Sequence, residues 1–287
     1  MTISPLASPT ATRALLETYG LATKHRLGQN FLIDNHVIER IMALAALAPE
    51  DRVLEVGPGI GTLTLALLQE AGRVASIEMD ATLEPVLRAH ELAHDTFSFI
   101  MGDALKVEPA RVADALGDEP DMLVANLPYN VAATIILDFF QRYPSLRAAV
   151  VMVQKEVADR IAAVLGTKAY GGYTAKLALY GKVTGRFEVP PRCFQPAPHV
   201  DSAVVRIDRH AAGEGPLAGS ALAPADVAPV IDAAFAQRRK TIRNSMGASG
   251  FDKATLDAAF AAAGIAPTAR GEALAPADFV RLAEALG

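Results

Sequence analysis

The chain has 287 residues with 51% hydrophobic and 21% charged positions and a formal charge of −5. This excludes a disordered polymer and leaves core material for one domain of ordinary size plus a smaller one. Its single cysteine, Cys193, excludes an intrachain disulfide and a multi-cysteine zinc site. No apolar run is long enough to span a bilayer and the first residues lack a secretory signal, so a soluble cytoplasmic protein is expected.

In chain order, residues 11–19 predict a short helix ended by Gly20, followed by a mixed polar and apolar loop over 24–32. Asp34 or Asn35 can cap a helix over 37–47, with Ile38, Ile41, Met42 and Ala45 on one face. Residues 53–56 read as a buried strand, Gly57, Gly59 and Gly61 as a tight turn, and 63–68 as the start of a helix. Further strands are expected at 73–78, 97–100, 121–125 and 148–153. The intervening helices run to about His90, over 131–141, from Lys155 to a break at Gly171 and Gly172, and over 173–180.

Late strands at 185–189 and 202–207 flank the proline-rich stretch 190–198. Residues 210–226, rich in Ala, Gly and Pro, read as a linker, and 227–236, 253–263 and 276–286 are helical in pattern. Alternating strands and helices predict an α/β fold with a Rossmann-like, doubly wound, mostly parallel sheet, joined to a small C-terminal α-helical domain. The expected division is 1–210 and 211–287. Right-handed crossovers place the strand C-termini on one edge, where such sheets bind ligands.

The glycine turn carries the first chemical signal. Glycine lets a backbone turn sharply and approach a ligand with no Cβ in the way. A dinucleotide loop has the spacing G-x-G-x-x-G. The even cadence of Gly57, Gly59 and Gly61, preceded by Glu55, suits S-adenosylmethionine, which has no pyrophosphate, better than NAD. Many α/β proteins also turn on glycine for structural reasons. Glu78 ends the next strand, where a carboxylate can accept from both hydroxyls of a ribose. Asp103 follows the third and can accept from an adenine amino group, and Asn126 ends the fourth. Each polar residue alone is an ordinary strand-end feature. Four signals at successive strand ends fit one nucleoside cofactor lying across the sheet edge.

Asn126, Leu127, Pro128 and Tyr129 form the sharpest motif. Proline and asparagine also serve a plain strand-end turn. The chemical reading starts from the difficulty of methylating an exocyclic amine, whose lone pair is delocalised into the base. The Asn126 side-chain oxygen and the Leu127 carbonyl can both accept from the amine and turn its lone pair toward a methyl donor. Tyr129 supplies a flat face for the base, and such stacking is worth about 1–3 kcal/mol. Placement and electrostatics carry the rate, with no nucleophilic side chain and no metal.

The net charge argues against a polyanionic partner, but local basic surface decides nucleic-acid contact. Lys24 and Arg26 form one basic run with His25; Arg238, Arg239, Lys240 and Arg243 form another. A charge cluster on a helix is often a solvated face, yet four cations without an acid suit phosphate contact. Cys193 has no sequence neighbour to activate it and reads as a small apolar filler.

Taken together, these stretches resemble the small-subunit (16S) ribosomal RNA adenine N6-dimethyltransferase family of the KsgA type. The matching segments are 25–32, 55–61, Glu78, Gly102 with Asp103, 126–129, 154–160, 194–202 and 237–245, with no substituted position within the motifs. The resemblance implies a class I S-adenosylmethionine-dependent methyltransferase. It implies that the cofactor contacts Asn30, Leu32, Gly57, Glu78, Asp103 and Asn126, with Gly59 in the same loop. Asn126 and Tyr129 would hold the target adenine and Phe194 would stack on its other face; on sequence alone Phe194 is equally a core residue.

In that family two adjacent adenosines near the 3′ end of the small-subunit RNA are each dimethylated. The implied partners are the small ribosomal subunit and its RNA, with a role in subunit biogenesis, no membrane and a monomeric enzyme. Such an enzyme must draw an adenine out of its stack, which is cheapest in an unpaired loop. Three other readings stay open: a large-subunit RNA methyltransferase of the macrolide-resistance type, a DNA adenine methyltransferase, and a non-catalytic ribosome-assembly factor.

Overall fold

A computed structural model describes residues 4–22 and 29–287. Lys24 and Arg26 lie outside the described residues. The chain divides into two compact units, Met1–Ala158 with Val183–Asp208, and Asp159–Lys182 with Arg209–Gly287.

The strands are β1 (Phe31–Leu32), β2 (Arg52–Val56), β3 (Arg73–Glu78), β4 (Phe97–Met101), β5 (Met122–Asn126), β6 (Ala148–Gln154), β7 (Gly181–Val189), β8 (Phe194–Gln195) and β9 (Ser202–Arg209). Seven of them form one sheet in the order β4-β3-β2-β5-β6-β9-β7. The first five in that order pair in parallel, and β9 runs antiparallel to β6. The order reverses direction at β2 and β5, the switch point at which open α/β sheets hold ligands.

Burial explains the strand pattern. Val53, Leu54, Leu123 and Val124 are fully buried, and β6 is buried at every position except Gln154. Parallel strands covered on both faces read as continuous apolar runs for this reason. The edge strand β7 instead alternates exposed and half-buried positions. At the carboxyl edge β3, β5 and β6 end in Glu78, Asn126 and Gln154, β2 runs into the glycine turn, and Asp103 follows β4 by two residues.

The first helices are α1 (Pro9–Thr18), α2 (Asn35–Ala45), α3 (Thr64–Leu67), α4 (Glu84–Ala93), α5 (Pro109–Leu116) and α6 (Ala132–Arg142). Asp34 caps α2 by accepting from the His36 amide. The other Asp34 oxygen accepts from the Cys193 thiol at 3.3 Å, so this buried cysteine is hydrogen-bonded as well as packed. Burial pushes the Cys193 thiol up to about 11, which leaves it unreactive. Helix α5 and the two-residue β1–β8 ladder were not among the expected elements.

Helix α7 (Lys155–Ile161) contains the point where the chain passes from the first unit to the second. The second unit gathers α8 (Gly172–Leu177), α9 (Pro224–Phe235), α10 (Ile242–Ala248), α11 (Lys253–Ala263) and α12 (Pro276–Leu286). Its core includes Val227, Ile231, Ile242, Met246, Leu256, Phe260 and Phe279. The expected boundary at residue 210 is therefore revised in one respect: 159–182 belong with the C-terminal helices. Tyr170 Oη donates to the Leu274 carbonyl at 2.8 Å, and Lys176 pairs with Asp232 at 2.7 Å.

Candidate active site at the carboxyl edge of the sheet

A cavity of about 260 Å³ opens where β2, β3, β4 and β5 end. Asn30, Leu32, Gly57, Gly59, Glu78, Asp103, Asn126, Leu127, Pro128 and Tyr129 all line it. Residues separated by up to 99 positions in sequence thus meet because parallel strands deliver their polar ends to one edge.

The turn after β2 is held from both sides. The Gly57 amide donates to the Ile77 carbonyl at 2.9 Å, and the Gly59 amide donates to Glu78 Oε2 at 3.2 Å. Gly59 has φ +59°, and a Cβ there would come within 3.1 Å of the Phe31 ring. Gly61 has φ +87°, and a Cβ there would lie 2.8 Å from the His90 ring. His90 Nε2 sits 2.9 Å from the Ile60 carbonyl, so helix α4 braces the turn. Any side chain at these two positions meets both backbone strain and an aromatic wall.

Two carboxyl groups stand behind the turn. Glu78 Oε1 accepts from the Asp80 amide at 2.8 Å, and its burial raises its pKa against these amide donors. Glu55 is 1% exposed, and its Oε2 accepts from Thr64 Oγ1 at 2.6 Å and Ser76 Oγ at 2.7 Å. Burial pushes Glu55 up to about 7; the two hydroxyls oppose the rise and the Glu78 charge adds to it. Asp103 is more open and accepts from the Leu105 amide at 3.1 Å.

Asn126 Nδ2 donates to the Asn30 carbonyl at 3.5 Å, a long bond that links the fourth strand end to the segment before β1. Tyr129 Oη lies 2.6 Å from Ser202 Oγ. Burial raises the phenol above its ordinary range. Gln29 Nε2 donates to Asp80 at 2.7 Å across the rim, beside Met79, which is 59% exposed.

Phe194, expected to stack on the far face of the adenine, is buried beside the site. It is 3% exposed, pairs with Leu32 in the β1–β8 ladder and packs in the core of the first unit rather than on the cavity wall.

The basic run divides. Arg243 makes a two-pronged bond to Asp257 at 2.5 and 2.7 Å, which holds that carboxyl below its usual range. Arg238 donates to the Lys168 carbonyl at 3.0 Å and stands 3.9 Å from Glu272. Arg239 and Lys240 make no ion pair among the described residues and are exposed. Sequence reasoning credited all four cations equally because Asp257 and Glu272 lie far along the chain.

Several wall residues were not expected: Gln29, Thr62, Met79 and Asp80 line the cavity, and Glu55 had been noted only as preceding the glycines. Met79 and Asp80 directly follow Glu78, so their place at a strand end was the available signal. Thr62 has a buried Oγ1 with no partner among the described residues. The donor set fits S-adenosylmethionine: a side-chain-free turn, acceptors at Glu78 and Asp103 for a nucleoside, and buried polar groups at Glu55 and Thr62 for an amino-acid end.

Comparison with known proteins agrees with this chemistry. The profile of the ribosomal RNA adenine dimethylase family matches residues 20–287. The chain is 45% identical over 284 residues to the ribosomal RNA small subunit methyltransferase A of Rhodococcus opacus, covering 97% of this chain and 94% of that one. Identity to the protein of the same name from Rhodococcus erythropolis is 44%, over 97% and 93% of the two chains. Among solved structures, the 23S rRNA methyltransferase ErmE is similar with a TM-score of 0.66 and 29% identity, covering 90% of this chain and 99% of that one. A dimethyladenosine transferase from Plasmodium falciparum shares the fold with a TM-score of 0.73 at 24% identity, over 88% and 95% of the chains.

Proposed function

We propose that this chain, which belongs to the ribosomal RNA adenine dimethylase family, methylates N6 of two adjacent adenosines in the 3′-terminal hairpin loop of small-subunit (16S) ribosomal RNA. The products are N6,N6-dimethyladenosines, made during small-subunit biogenesis in the cytoplasm. The enzyme is S-adenosylmethionine-dependent. The observation that carries the reading is the meeting of Glu78, Asp103 and residues 126–129 on one cavity beside the glycine turn.

When bound, S-adenosylmethionine supplies an electrophilic methyl group on a sulfonium centre. Glu78 and Asp103 would hold its ribose and adenine, and Gly57 and Gly59 would let it lie against the backbone. Asn126 spends its amide nitrogen on Asn30, and no described residue donates to its Oδ1. That oxygen, with the Leu127 carbonyl, is available to accept from the N6 amine and orient its lone pair. Tyr129 offers its ring to the extruded base. No side chain needs to attack, and orientation lowers the barrier.

The choice of small-subunit RNA is supported by relatives at 41–45% identity named for that subunit, against 29% to ErmE. No helix among the described residues is long and apolar enough to cross a membrane. On the second unit, the exposed Arg239 and Lys240, without an ion pair among the described residues, would meet RNA phosphates. Mass spectrometry of small-subunit RNA from cells lacking this protein tests the proposal. Loss of both dimethyladenosines is expected; their retention would overturn it.

A further inference from the structure

We infer that Ser202 is a positioning residue for methyl transfer, holding the Tyr129 ring in the orientation that receives the base. The inference rests on the reading of Tyr129 as a base platform. Stacking needs only a flat ring, and phenylalanine presents the same face. The phenol oxygen of Tyr129 therefore has some other task. Its contact in the structure is Ser202 Oγ at 2.6 Å, short enough for a firm O–H···O bond.

The two ends of this bond differ in rigidity. Tyr129 lies in the irregular segment between β5 and α6, half-buried on the cavity wall. Ser202 is fully buried, opens β9, and stands opposite Gln154 in the antiparallel ladder with β6. The hydroxyl of Ser202 is thus fixed to the sheet, and the bond transfers that fixity to a ring on a loop. A ring held in place before the base arrives costs less ordering on binding. Ser202 is a fully buried polar side chain, and the Tyr129 phenol is the partner that satisfies its hydroxyl.

Four variants test the assignment under saturating S-adenosylmethionine: Ser202→Ala, Ser202→Thr, Tyr129→Phe, and Ser202→Ala with Tyr129→Phe. Ser202→Ala and Tyr129→Phe are each expected to lower kcat about tenfold, the worth of one oriented hydrogen bond, with cofactor Kd changed less than about twofold. The double variant is expected to be no slower than the slower single one, because both remove the same bond. Ser202→Thr, which keeps a hydroxyl on the strand, recovers kcat toward wild type. Unchanged kcat in Tyr129→Phe, or losses that multiply in the double variant, would overturn the inference. Should Ser202→Ala fail to fold, Tyr129→Phe removes the same bond with Ser202 intact and decides alone. Tyr129→Ala separates the two readings: full activity there removes Tyr129 from the site, whereas lost activity with a fully active Tyr129→Phe removes only Ser202.

Discussion

The side-chain amide of Asn126 donates to the main-chain carbonyl of Asn30, 96 residues earlier in the chain. This long contact places the amide nitrogen on the Asn30 side. A nitrogen committed to Asn30 leaves the oxygen as the acceptor for an exocyclic amine, which the proposed chemistry requires. Asn126→Asp keeps the shape and loses the donor, and its charge repels the carbonyl. Turnover in Asn126→Asp and Asn126→Ala is expected to fall about 10²–10³-fold, as when one preorganised group is removed elsewhere. Single-turnover methylation of unmethylated small subunits measures it, and near-normal turnover in both variants would contradict the assignment.

Glu55 makes the stability of the first unit depend on pH. Its pKa is raised from 4.5 to about 7 by burial, so the folded protein binds this proton more tightly than the unfolded chain does. The resulting contribution is complete below about pH 4.5 and is lost as pH rises through about 7. Its full size is on the order of a few kcal/mol. Thermal unfolding from pH 5 to 8 should show wild-type Tm declining relative to Glu55→Gln, with the difference levelling above pH 8. Parallel curves would mean Glu55 is ionised throughout.

Gly61 and His90 form a steric pair. Gly61→Ala puts a methyl 2.8 Å from the imidazole at φ +87°, and the backbone strain alone costs about 1–3 kcal/mol. The turn must shift, so S-adenosylmethionine affinity should fall at least tenfold by calorimetry. His90→Ala in the same chain removes the clash but not the backbone strain, so only part of the affinity should return. Unaltered affinity in Gly61→Ala would show that the turn does not touch the cofactor.

The basic run should act through two of its four cations. Arg239→Ala with Lys240→Ala is expected to weaken RNA binding and reduce the slope of log K against log salt by about 1.4–1.8, two phosphate contacts' worth. Arg243→Ala should leave that slope nearly unchanged, because its guanidinium is already committed to Asp257. Equal slope changes in the two variants would mean that Arg243 leaves Asp257 for the RNA.

Much of the site was legible because its residues follow apolar runs. Parallel strands such as β5 are buried on both faces, so the first polar residue after the run, Asn126, marks the ligand edge. Glu78 and Asp103 were visible in the same way. The β1–β8 ladder was not, because Leu32 and Phe194 pair over two-residue strands with no periodicity to read. Nor was the burial of Phe194, since an aromatic beside prolines suits a core and a binding face equally. The placement of 159–182 depends on partners such as Leu274 for Tyr170, and the neutralisation of Arg243 on Asp257. Both are long-range choices that composition and spacing do not encode.

The claim on which the rest depends is that donor and acceptor meet where β2 to β5 end. A crystal structure of the protein soaked with S-adenosylmethionine tests it most directly. The account predicts the ribose on Glu78, the adenine edge near Asp103 and the methyl group directed toward Asn126 and Tyr129. A donor bound away from Gly57 and Glu78, or with its methyl turned from Asn126, would contradict it.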